Sequence, residues 1–403
     1  MVKVNPNILR WARETAGFSL EEACKKLQIK DLLKIPAVER LKNLETGDIA
    51  PTRGMLIKMA KLYHRPLIVF YMSAPPRKGN RGQDFRTLPT EYSVKSGALV
   101  DALLRNILSR QSIIRAGMED EEGVEILPFV KSTTINIGIP ELVESINKTL
   151  KFNLEIFRNK TTPQEAFGYL RSCAEKIGIF VLLISDLGSH HTKIGLESFR
   201  GFALADEIAP FIVINDQDSK AAWSFTLFHE IVHIWLGQTG VSNINFEKEI
   251  EKFCNDVASE FLFPNHELSQ LNLVVRLDQE EVIRQISDFA YKRNISSSLV
   301  AYKLFRAGVI HRETWIKMNK AYQSMWNIAK ENQRIKKRGK KGGPDYYILH
   351  RYMVGMNLVS TVKRMMADGI LTTSKAGKIL GVKAKNVQKL MDANGSSKAP
   401  RYS

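Results

Sequence analysis

Ser219-Lys-Ala-Ala-Trp-Ser-Phe-Thr-Leu-Phe-His-Glu-Ile-Val-His-Ile-Trp-Leu-Gly237 is the stretch on which the fold and chemistry of this chain turn. Asp218-Ser219 offers an N-cap, Ala221 to Leu236 is continuously helical in character, and Gly237 and Gly240 mark the end. On such a helix His229 and His233 are four residues apart, so both imidazoles project from one face and can share a tetrahedral zinc ion. Glu230 lies beside them. Its position suits it to polarise a zinc-bound water, take that water's proton during attack on a scissile carbonyl, and pass the proton to the leaving amine. Phe225, Phe228, Val232 and Trp235 supply the core-facing side.

A zinc site of this kind needs a third protein ligand and an open fourth position. Glu247, Glu249 and Glu251 all follow within reach of one more helix. Glu251 is our choice, because it begins Glu251-Lys-Phe-Cys-Asn-Asp-Val-Ala-Ser-Glu-Phe-Leu-Phe-Pro264, where Phe253, Val257 and Phe261 form a core stripe and Asn255 lies one turn on. Glu247 and Glu249 read instead as a solvated helix start. His190 and His191 read as a surface loop pair, and His64, His266, His311 and His350 have no ligand spacing.

Outward from this centre, 403 residues are too many for one core and suggest two to four domains. Residues 1–75 read as short amphipathic helices at Ile8 to Thr15, Ser19 to Leu27, Pro36 to Asn43 and Thr52 to Tyr63, the second with a capping box between Ser19 and Glu22. Pro75-Pro76 opens residues 76–160, a linker and connecting helices that include Glu91 to Gly117. Residues 161–335 change to mixed α and β: a helix from Pro163 to Ile177, a strand from Ile179 to Ile184, and strands at Arg200 to Ala205 and Phe211 to Ile214 flanking a hairpin loop. Either of the last two strands is expected to offer a sheet edge to an extended substrate. Residues 336–403 comprise a basic linker, within Arg334-Ile-Lys-Lys-Arg-Gly-Lys-Lys-Gly-Gly343, and a small helical unit. The expected fold is multidomain and mainly α, with one α+β domain carrying the metal site.

Hydrophobic content of 44% and charged content of 25% are those of a globular protein. No apolar run approaches the roughly 20 residues of a membrane helix, and the N-terminus lacks the apolar region of a signal peptide, so a cytoplasmic protein without a membrane partner is expected. Cys24, Cys173 and Cys254 are far apart and form no metal or redox pair, which suits reduced thiols. The net charge of +17 makes nucleic acid a plausible partner, with general solubility as the plain alternative.

Phe225-Thr-Leu-Phe-His-Glu-Ile-Val-His233, together with Glu251, Asn255, Ala258 and Pro264, resembles the two motifs of the ImmA/IrrE family of bacterial metallopeptidases. The resemblance implies a zincin-like domain in which His229, His233 and Glu251 bind Zn2+ and Glu230 is catalytic. Leu9-Arg-Trp-Ala-Arg-Glu-Thr-Ala-Gly-Phe-Ser-Leu-Glu-Glu-Ala23 and Leu44-Glu-Thr-Gly-Asp-Ile-Ala-Pro-Thr52 resemble an XRE-type helix-turn-helix. Asp84-Phe-Arg and Gly342-Gly-Pro-Asp-Tyr-Tyr347 look like the fusions of the two. Between Leu27 and Glu45 the chain is longer than a compact helix-turn-helix, with Lys30-Asp-Leu-Leu-Lys-Ile-Pro36 interrupting the turn. If the reading helix is Pro36 to Asn43, then Glu39, Arg40 and Asn43 are placed to meet bases and Lys42 or Lys34 phosphates. A helical scaffold without DNA contact is the alternative. Leu371-Thr-Thr-Ser-Lys-Ala-Gly-Lys-Ile-Leu-Gly-Val382 has a weaker helix-turn-helix look.

The function expected from these features is a zinc-dependent endopeptidase fused to a DNA-binding-type domain, an intracellular regulator that cleaves a protein partner such as a repressor or antitoxin. Two alternatives stand beside it: a DNA-binding regulator or antitoxin with a structural or weakly active zinc site, and a toxin-binding module gripping its partner through the C-terminal helices. The intact Glu230 argues against the first of these. An oligomer is compatible with all three.

Overall fold

The computed structural model describes residues 4–32, 35–76, 94–121, 123–238, 244–271, 279–337 and 345–393. Lys34, Asp84-Phe-Arg86, Gly240 and Gly342-Gly-Pro344 lie outside them. The chain forms two compact units, one of Met1–Ile107 with Asp186–Ser198 and one of Leu108–Ser185 with Phe199–Ser403.

The first unit contains α1 (Pro6–Thr15), α2 (Leu20–Leu27), α3 (Ala37–Thr46), α4 (Arg53–Leu62) and the start of α5 (Val94–Glu119). Side chains that accept orphan amides set the starts: Asn5 caps α1, Thr52 caps α4, and the Ser19–Glu22 capping box opens α2 in both directions. Ile8, Leu9, Ala12, Leu27, Leu41 and Met59 bury their side chains together. Within this core Arg13 donates to both carboxylate oxygens of Glu45, at 2.7 and 2.9 Å. The connection from α2 to α3 is a loop with its own structure. Gln28 turns it with a left-handed backbone, Leu32 and Ile35 pair across it, and Asp31 accepts the amide of Ala37 at 2.7 Å. Pro36 caps α3 rather than starting it.

The second unit continues through α6 (Ile139–Leu150), α7 (Leu154–Arg158) and α8 (Pro163–Lys176) to a sheet of β1 (Phe180–Leu183), β2 (Gly201–Leu204) and β3 (Phe211–Ile214). The strand order is β1-β3-β2. β1 runs parallel to β3, with Phe180 opposite Phe211, and β2 is antiparallel to it, with Gly201 opposite Ile214. Every residue of β1 and β3 is buried, which accounts for their unbroken apolar runs. The expectation that Phe211 to Ile214 offers an edge is corrected by this order: the crossover from β1 fills the side of β3 that the hairpin leaves open. β2 is the outer strand.

Next come α9 (Lys220–Leu236) and α10 (Ile244–Leu262), packed against one another. Ser219 caps α9 by accepting the Ala222 amide at 3.2 Å, and Gly237 ends it in the left-handed conformation. Trp223, Phe228, Ile231 and Trp235 are fully or almost fully buried. Each contributes about 2 kcal/mol of transfer free energy, against a similar cost for each buried polar group on the same helix. The apolar anchors thus offset the burial of Glu230 and His233. Residues 127–133 close the far end of the helix, Lys131 and Thr133 donating their amides to Ile234 and Trp235 carbonyls at 3.0 and 3.2 Å.

The chain ends in α11 (Gln279–Lys292), α12 (Ser297–Arg306), α13 (Arg312–Lys337), α14 (Tyr346–Val354), α15 (Met356–Ala367), α16 (Thr373–Leu380) and α17 (Val387–Asp392). Arg171 of α8 binds Glu175 at 3.0 Å and donates to the carbonyls of Val181 in β1 and of Tyr352 and Met353 in α14. α14 and α15 pack on β1, the outer strand on the other side. No helix of the described residues is long and apolar enough to cross a membrane.

Candidate active site

α9 carries His229 and His233 on one face, and α10, packed against it, brings Glu251 to the same point. The imidazole Nε2 atoms lie 3.1 Å apart. Glu251 spans both, its Oε2 3.3 Å from His229 Nε2 and its Oε1 3.4 Å from His233 Nε2. Zinc bound at its usual distances holds neighbouring ligands about 3.3 Å apart, the edge of a tetrahedron. The three separations match that edge, and two imidazoles with one carboxylate are a fitting donor set for zinc. The residues present therefore suit the metal.

The surroundings fix these ligands unequally. His233 is almost wholly buried at 3% exposure, while the Glu251 side chain is 36% exposed, so the approach to the cluster lies on the Glu251 side. Burial pushes the Glu251 carboxyl up, but hydrogen bonds and charge from His229 and His233 outweigh it and hold the group well below the usual carboxylate range. His233 Nδ1 lies 3.9 Å from the Cys254 thiol, whose own ionisation burial pushes up. Cys254 follows Glu251 by one helical turn and faces the same way. In the sequence it reads as a reduced thiol; its spacing from Glu251 is the signal of its place beside the site.

Glu230 is buried beside the cluster. Gly201, the first residue of β2, stands against it: a Cβ there would meet Thr226 Cγ2 at 2.5 Å and Glu230 Oε1 at 2.9 Å. The strand start is held in turn by Arg200, whose guanidinium binds Asp218 at 2.9 Å, and by Asn215, whose side-chain amide donates to Phe199 O at 3.0 Å. Gly201 was not singled out from sequence, since its partner lies on a different element. Among the described residues no strand pairs with the outer side of β2, although Gln111 donates to its Leu204 carbonyl at 3.2 Å.

His190 and His191 are in a short helical turn of the first unit, and among the described residues the metal cluster is His229, His233 and Glu251. Glu249 is exposed. Of the expected DNA contacts, Arg40, Lys42 and Asn43 lie on α3, and Lys34 is outside the described residues. Lys42 is exposed, Asn43 is half-buried, and Arg40 donates to the Lys30 carbonyl of the inserted loop at 2.5 Å.

Residues 174–305 match the family model of the IrrE N-terminal-like domain, a peptidase family. The match contains β1 to α12 and with them His229, Glu230, His233 and Glu251, and it supports the ImmA/IrrE metallopeptidase resemblance for that part. It does not reach the N-terminal helices, and the XRE-type resemblance gains no support from it. No curated protein and no solved structure matches the chain.

Proposed function

We propose that this chain is a zinc-dependent endopeptidase fused to a DNA-binding-type domain, a regulator that cleaves a protein partner such as a repressor or antitoxin. One observation supports it above others: a buried carboxylate, Glu230, adjoins three ligand atoms spaced for zinc while the fourth direction is left to solvent on the Glu251 side. A structural zinc site has four protein ligands and no need of a neighbouring base.

Bound zinc acidifies water and polarises a carbonyl. His229, His233 and Glu251 hold it. Glu230 accepts the proton of the attacking water and delivers it to the departing amine, and its burial keeps that proton from exchanging with solvent. An extended segment of substrate pairs with the open side of β2, beginning at Gly201, so that its backbone passes the Glu230 carboxylate. In the first unit Arg40, Lys42 and Asn43 are the residues of α3 that would meet DNA.

The test is cleavage of an internally quenched peptide library and of proteins retained by the full chain. Glu230→Gln should keep zinc and lose turnover by a thousandfold or more. Equal cleavage by both forms would sink the mechanism.

A further inference from the structure

The turn that the N-terminal helices lack is present at the other end of the chain. α16 ends at Leu380, three residues follow, and helical backbone resumes at Ala384 and runs as a short turn and then α17 to Asp392. Two helices joined by a turn of three or four residues containing glycine are the form of a helix-turn-helix, whose second helix enters the major groove. Here the turn has the two features that form demands. Gly381 adopts a left-handed backbone with φ of 70°. Gly377, one turn earlier, lets the second arm approach: a Cβ there would meet Val382 O at 2.8 Å and Ala384 N at 3.1 Å. Its carbonyl accepts the Val382 amide at 2.9 Å.

The apolar pattern fits the same form. Ala376, Ile379 and Leu380 on the first arm and Val387, Leu390 and Met391 on the second are buried, and α15 packs behind α16. His350 meets the Leu380 carbonyl at 2.7 Å, and Arg351 donates to the Met391 and Ala393 carbonyls, so α14 braces the end of each arm from within the protein. The outward face is different. Lys383, Ala384, Lys385, Gln388 and Lys389 are all exposed there, with Asp392 at the far end accepting from the Gln388 amide. Among the described residues this face offers cations, an amide and the Asp392 carboxylate, and no large apolar side chain that a protein partner would bury.

We propose that the C-terminal unit is a DNA-binding module, with the helical segment Ala384–Asp392 lying in the major groove of duplex DNA. Lys383 and Lys385, at its start, and Lys389, one turn on, reach phosphates or guanine edges, and Gln388 is the amide placed for a base. This goes beyond the peptidase reading and does not depend on it.

The experiment uses the full chain, a fluorescent 24-base-pair duplex of mixed sequence, and anisotropy across a sodium chloride series. Wild type should bind the duplex with affinity falling steeply with salt. The exposed pair Lys385→Glu with Lys389→Glu should weaken binding tenfold or more, and should lower the slope of log affinity against log salt by about 2, for two lost phosphate contacts. Lys385→Ala with Lys389→Ala should give a smaller change in the same direction. Lys317→Glu with Lys320→Glu, the same charge change at exposed sites of α13, should leave binding as in wild type. Three results overturn the proposal: no duplex binding by wild type, equal weakening by the α13 pair, or preference for a single strand or an RNA stem-loop of the same sequence.

Discussion

Gly201 and Glu230 stand so close that a single methyl group on the glycine would lie 2.9 Å from the glutamate Oε1. No real Cβ tolerates that approach, and Thr226 blocks the other side at 2.5 Å. The first strand residue therefore has no room for a side chain beside the Glu230 carboxylate and Thr226. Gly201→Ala is expected to push Glu230 from its place, lowering peptide turnover by at least tenfold while leaving zinc content at one per chain. Unchanged turnover, with an intact far-ultraviolet dichroism spectrum, would contradict this.

Zinc should be held by three residues and indifferent to the fourth. His229→Ala, His233→Ala and Glu251→Ala are each expected to purify without stoichiometric zinc, and Glu230→Gln with it, as measured by atomic emission. A metal that binds the folded chain alone adds about 4 kcal/mol of stability at a thousandfold excess over its dissociation constant. Chelation should then lower the midpoint of thermal unfolding by several degrees in wild type and by little in His233→Ala.

Cys254 Sγ faces His233 Nδ1 at 3.9 Å and is expected to act on the site through that ring. Removing the group that faces the other nitrogen of a ligating imidazole weakens metal binding by about tenfold or more. A thiol is a weak partner, so Cys254→Ala should fall at that lower bound and Cys254→Ser should stay near wild type, in competition against a chromophoric chelator. A serine variant as weak as the alanine variant would mean that thiol volume, and not its contact with Nδ1, matters.

In the first unit the Arg13–Glu45 pair is buried, and removing Glu45 leaves the Arg13 guanidinium with the Phe18 carbonyl at 2.9 Å and the exposed Glu14 at 3.5 Å as its remaining partners. Glu45→Ala should cost about 3–5 kcal/mol, whereas Arg13→Leu with Glu45→Leu should recover most of the loss. Hydrogen exchange at α1 and α3 amides reads the change. A loss below 1 kcal/mol in the single variant would show that water reaches Arg13.

The parts of this fold carried by short periods were legible in the sequence. The placement of His229 and His233 follows from helical spacing, and Glu251 from the core stripe that begins beside it. Ser219, Thr162 and the Ser19–Glu22 box cap their helices where the residue types say they should. What was hidden depends on contacts across elements. Gly201 matters because of a side chain on another element, and the burial of β3 between two strands depends on the direction of a crossover. The C-terminal turn looked weak because its two decisive residues are glycines, whose meaning lies in a dihedral angle and a close approach. The longer α2–α3 connection was visible as extra residues, but not the hydrogen bond by which that loop engages Arg40.

Arg171 gives the sheet its asymmetry. Its guanidinium takes up the Val181 carbonyl while α14 and α15 pack on β1, so that strand is covered, whereas among the described residues no strand pairs with the outer side of β2. A chain cut short before Asp345 would lose α14 and α15 from β1 and uncover that second edge of the sheet. The expected defect is self-assembly through β1, seen as light scattering that rises with concentration and with no need of an intact zinc site. On this expectation the last helices guard the sheet against polymerisation.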